Sequence, residues 1–175
     1  MKKILAMLTA MALVVAMTAG CGSDKKQDKA QDVSEPASSQ ELTEDTLGQI
    51  VTEAAEIPEG TAGSSLKVAA LSAKIASFLA ASGYNEKDTE TLKEELLEKY
   101  NALDDDAKAN LDHSFTDAFE LLDKAIIDGD FDSIKGQFED AGVADGLDTV
   151  MKVPGLAESY NAFKSAYLSI GNSND

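Results

Sequence analysis

An all-α fold is predicted for this 175-residue chain by three features of its sequence. Apolar residues recur at three- and four-residue intervals over nearly the whole length after residue 42. No alternating run of β-branched residues is long enough to form a strand. Glycine and proline mark the ends of the periodic segments, which keeps the connections short and makes consecutive helices antiparallel neighbours. The expectation is a compact antiparallel bundle of about five to seven helices, filling residues 42–175, after a leader and a tether.

Residues 1–20 form the leader. Lys2 and Lys3 precede an apolar stretch from Ile4 to Ala19 that only Thr9 and Thr18 interrupt. It is shorter than the roughly 20 apolar residues of an ordinary membrane span and matches a secretory signal peptide. The only cysteine of the chain follows at once, in Thr18-Ala19-Gly20-Cys21. This motif resembles the lipobox of bacterial lipoproteins: Ala19 and Gly20 fit, and Thr18 stands where leucine is usual. The resemblance implies that Cys21 carries a diacylglyceryl group and becomes the first residue after cleavage. Two acyl chains are sufficient for stable anchoring, so it also implies a position on the extracytoplasmic face of a cell membrane. Lysine-only basicity is similar to that of low-GC Gram-positive proteins.

Residues 21–41 read as the lipidated cysteine and a flexible linker. From Gly22 to about Gln40 the chain is Gly, Ser, Asp, Lys and Gln with few apolar interruptions, too polar to bury surface that would offset its ordering entropy. As a coil it reaches roughly 25 Å.

The helices follow in order. The first, about 43–56, places Leu47, Ile50, Val51, Ala54 and Ala55 on one face and stops at Pro58. The second, about 64–82, starts at Ser64 or Ser65 as cap and ends at Gly83. It is apolar nearly all round, with Lys67 and Lys74 marking a narrow wet stripe, as expected of a central helix. Its many alanines, among them Ala70 and Ala73, permit close packing or leave a groove beside it. A third, about 86–103, turns Leu92, Leu96, Leu97, Tyr100 and Leu103 inward. Asp104 or Asp105 then restarts the chain in a fourth helix that runs to Asp128 on a stripe of Leu111, Phe115, Ala118, Phe119, Leu122 and Ile126. The junction from Tyr100 to Leu111 resembles a helix hairpin recurring in Gram-positive surface proteins. Ile134, Phe138 and Ala141 define a short fifth helix, Leu147, Val150 and Met151 a weak turn, and Leu156, Tyr160, Phe163, Tyr167 and Ile170 a last core seam opened by Pro154.

Charge and composition then bound the chemistry. Fifteen basic residues, all lysine, face 32 acids, for a net charge of −17, which argues against a nucleic-acid partner. Without arginine the chain lacks the bidentate clamp for phosphates, and one histidine and one cysteine are too few for a zinc site built on those residues. Asp128, Asp130, Asp132 and Glu139 occupy positions 1, 3, 5 and 12 of a calcium-binding EF-hand loop, where carboxylates would converge on a hard cation. Ser133 replaces the glycine that the loop needs at its sharp turn, and the competing reading makes these acids the caps of a helix–turn–helix connection. His113 reads as a surface residue on a face with Asp117, because adjacent Ser114 points elsewhere on the helix. Asp104, Asp105 and Asp106 read as capping. The expected function is a non-enzymatic interaction module, anchored by lipid and engaging an envelope protein or ligand, with no cofactor beyond the lipid. The alternative is a small-ligand or Ca²⁺-binding lipoprotein.

Overall fold

A computed structural model describes residues 46–171, and the predicted leader, Cys21 and the linker lie outside the described residues. The all-α prediction holds: among the described residues the regular structure consists of seven α-helices, one 3-10 turn and one π-helical segment. They are α1 (Thr46–Ala55), α2 (Ser64–Ser82), α3 (Thr89–Asn101), α4 (Asp105–Leu122), α5 (Phe131–Asp140), α6 (Leu147–Val150) and α7 (Leu156–Gly171).

Helix α1 buries the five residues its periodicity places inward, and Ile57 beyond its end is also buried before Pro58. The Pro58–Thr61 turn then replaces the serine cap expected for α2. Thr61 Oγ1 donates to the Pro58 carbonyl at 3.1 Å, and the Ser64 amide donates to the Thr61 carbonyl at 3.0 Å. Gly63, in the left-handed region at φ 88°, therefore occupies the N-cap position with no side-chain bond. At the other end Gly83, at φ 64°, directs its amide to the Leu79 carbonyl and stops the helix as predicted.

Helix α2 is the centre of the fold, packed against α1, α4, α5, α6 and α7. It is the one helix among the described residues long and apolar enough to cross a membrane, but Ala69, Ile75, Ala76 and Leu79 are fully enclosed by its neighbours. Enclosure on several sides explains a sequence that is apolar nearly all round.

The chain departs from the expected third and fourth helices at two places. Residues Glu86–Asp88 form a 3-10 turn, fixed by a reciprocal cap in which Asn85 Oδ1 accepts from the Lys87 amide and Asp88 Oδ2 from the Asn85 amide. The α-helical pattern of α4 ends at Leu122, and residues Asp123–Ile127 continue as a π-helical segment. In this segment Ala125 is buried, Ile126 only partly so, and Ile127 is 48% exposed. Asp104 does cap α4, accepting from the Ala107 amide at 2.9 Å.

Helices α4 and α7 run antiparallel, since Asp112 meets Tyr167 while Asp123 meets Tyr160. An aromatic cluster fills the space between them. Phe115 lies 4.6 Å from Tyr167 and 5.9 Å from Phe163, and Phe119 approaches Tyr160, Phe163 and Tyr167 edge-on, the arrangement favoured by ring quadrupoles.

Candidate functional site

Of the two readings of the alanine-rich helix, close packing or a groove, a groove is present on one side of α2; it is open and measures about 680 Å³, within the range of small-ligand sites. Three segments line it. Helix α2 contributes a stripe of Lys67, Ala70, Lys74 and Ser77, residues spaced three and four apart, with Leu71 and Ala73 beside them. The end of α1 contributes Glu53, Glu56 and Ile57, and the α5–α6 connection contributes Val143 and Asp145. Small side chains on α2 make the groove: a larger residue at Ala70 or Ser77 would fill it. Ser77 turns its hydroxyl back to the Ala73 carbonyl at 2.8 Å and so presents its methylene to the opening.

Charge in the groove is only partly neutralised. The Lys74 ammonium pairs with the Glu53 carboxylate, whereas Lys67, Glu56 and Asp145 are exposed and make no ion pair among the described residues. A smaller hollow of about 170 Å³, lined by Glu139, Gly142 and Ala144, shares Asp145 with it. The groove thus combines apolar lining residues with the carboxylates of Glu56 and Asp145, which no lysine neutralises among the described residues.

Two polar clusters occupy the α4–α7 side. Tyr160 donates to Asp123 Oδ1 at 2.8 Å, and Lys164 Nζ reaches both oxygens of the same carboxylate at 2.9 and 2.6 Å. Lys164 also lies 5.8 Å above the rings of Phe119 and Tyr160. Two turns along, Tyr167 donates to Asp112 Oδ1 at 2.5 Å and Tyr100 donates to Oδ2 at 3.1 Å. Burial, followed by the hydrogen bond to a carboxylate, pushes the phenols of Tyr160 and Tyr167 far above their ordinary range. Both therefore stay protonated donors, which suits a structural clamp. Both tyrosines are core residues by their helical spacing, and their rings are buried, but nothing in the sequence pairs their hydroxyls with Asp112 and Asp123. The only signal for those two acids is their position at the margin of an apolar stripe.

Asp128, Asp130, Asp132 and Glu139 fall at the π-segment–α5 junction. Asp128 ends the π-helical segment, Gly129 takes φ 67°, Asp130 occupies the N-cap position and Asp132 lies in the first turn of α5. Ser133 Oγ bonds the Asp130 carbonyl at 2.9 Å, and Glu139 sits two turns farther along the helix. Among the described residues no three His, Cys, Asp or Glu side chains are grouped to hold a metal ion. His113 lies 3.4 Å from Asp117 at the surface, while Ser114 is fully buried, so these sequence neighbours do not meet. Asp105 and Asp106 are exposed in the first turn of α4. Cys21 lies outside the described residues.

No protein-family model, curated protein or solved structure matches the chain.

Proposed function

We propose that this chain is a lipid-anchored protein of the extracytoplasmic membrane face, whose helical domain works as a non-enzymatic binding module with the α2 groove as its contact surface. The anchor reading rests on the lone cysteine falling directly after Ala19-Gly20 at the end of an apolar leader. The binding reading rests on one observation: the central helix, enclosed by five others, leaves a single stripe at Lys67, Ala70, Lys74 and Ser77 lining an open apolar groove.

Cys21→Ser tests the anchor. The variant is expected to leave the membrane fraction or accumulate unprocessed, and unchanged processing and retention would refute lipidation there. Ala70→Phe tests the groove. Ala70 is half-buried on the groove wall and the new ring has the open groove to occupy, so thermal stability should change by about 1 kcal/mol while binding through the groove is lost. Ser77→Phe closes the same opening from an exposed position and guards against a local packing effect at Ala70.

A further inference from the structure

We propose that the α2 groove takes a short peptide segment with apolar side chains and a basic residue, held by its apolar face on the groove floor and by its cation on Glu56 and Asp145. This rests on the reading of the groove as the binding surface and adds the chemistry of its occupant.

Three observations point to a cationic partner. Among the groove charges, Lys74 is neutralised by Glu53, which leaves two carboxylates from separate segments against one ammonium. The adjoining hollow adds a third carboxylate, Glu139, beside Asp145. The whole chain is strongly acidic, so its field concentrates cations at the surface and speeds their encounter. The apolar part of the partner matches the half-buried Ala70 and Val143, which line the groove beside Ile57, Leu71 and Ala73 and which a fully hydrated cation would not cover. Lys67, exposed at the same groove, is the group an anionic ligand would use instead, which makes the sign of the partner's charge testable.

The probe is a capped, fluorescein-labelled leucine–lysine hexapeptide, titrated by anisotropy against the full chain in detergent. It should bind more tightly than the leucine–glutamate peptide of the same pattern and than a serine–lysine peptide. Glu56→Gln and Asp145→Asn should each weaken it about two- to fivefold, the worth of one exposed ion pair. Lys67→Gln should leave it equal or tighter, and Ala70→Phe or Ser77→Phe should abolish it. If the leucine–lysine and leucine–glutamate peptides bind equally and both are blocked by Ala70→Phe, the groove stands and the charge assignment falls. Preference for the glutamate peptide, weakened by Lys67→Gln, overturns the charge assignment in the opposite sense. Equal binding of the serine–lysine peptide, or indifference to both groove-filling substitutions, overturns the groove as well.

Discussion

The α4–α7 face and the exposed stripe of α2 both border the core, yet large rings fill the one and the other is left open as a groove. On α4 and α7 large rings interlock, and their polar tips are tied to Asp112 and Asp123 at the rim. On α2 the side chains at Ala70 and Ser77 are small and leave the groove between the segments that line it. The difference lies in side-chain size, because a helix lined by small residues packs closely where a partner helix exists and leaves a depression where none does. The closed face should therefore carry stability, and the open stripe should carry contact.

The largest effect is expected where the rings meet. Phe163→Ala removes a fully buried ring between Phe115 and Phe119 and should cost about 3–5 kcal/mol in urea unfolding. A loss no larger than that of Ala70→Phe would erase the contrast between the two surfaces. Asp123→Ala comes next, because it removes the carboxylate shared by Tyr160 and Lys164 and leaves the Tyr160 hydroxyl only the Phe119 carbonyl, 3.2 Å away. It should cost about 1–3 kcal/mol, discounted toward the lower end because Lys164 and Asp123 remain partly hydrated.

The alkaline limb of stability reads the same clamps. Tyr160 and Tyr167 have phenol pKa values raised by folding above the ordinary 10.0, so the stabilisation is complete below that pH and is lost as pH rises beyond it. Thermal stability should fall steeply above about pH 10, and Tyr167→Phe, with no phenol to ionise, should make the fall shallower. An identical slope in the variant would separate Tyr167 from the effect.

Ser114 sharpens the comparison from the other direction. Its hydroxyl is buried on α4 with no hydrogen-bond partner among the described residues. Ser114→Ala should be neutral or stabilise by about 1 kcal/mol, and a clear loss would show that the hydroxyl is satisfied in solution. The smallest expected effect is that of calcium at the Asp128–Asp132 turn. Melting should be unchanged by it, whereas a rise with calcium but not magnesium, removed by Asp130→Ala, would restore the cation reading.

The α7 seam was legible in the sequence because Leu156, Tyr160, Phe163, Tyr167 and Ile170 repeat at helical intervals, and all five are buried. The Asp104 cap was legible because its carboxylate serves an amide three residues away. The π-helical segment was not, because its wider hydrogen-bond ring leaves no mark in residue type. The Tyr–Asp clamps were hidden for a different reason: Asp112 and Tyr167 are 55 positions apart, and nothing local marks the pairing. The groove fell between these cases. The small residues of α2 fit close packing as well as a groove, and the open side is not legible from α2 alone, because Val143 and Asp145 come from a distant connection.

Amide chemical-shift mapping of the full chain with the capped leucine–lysine hexapeptide tests the open-stripe account most directly. Shifts are expected to be confined to residues 53–57, 67–77 and 143–145, with α4 and α7 unaffected. Shifts centred on the α4–α7 face, or none at any peptide concentration, would contradict it.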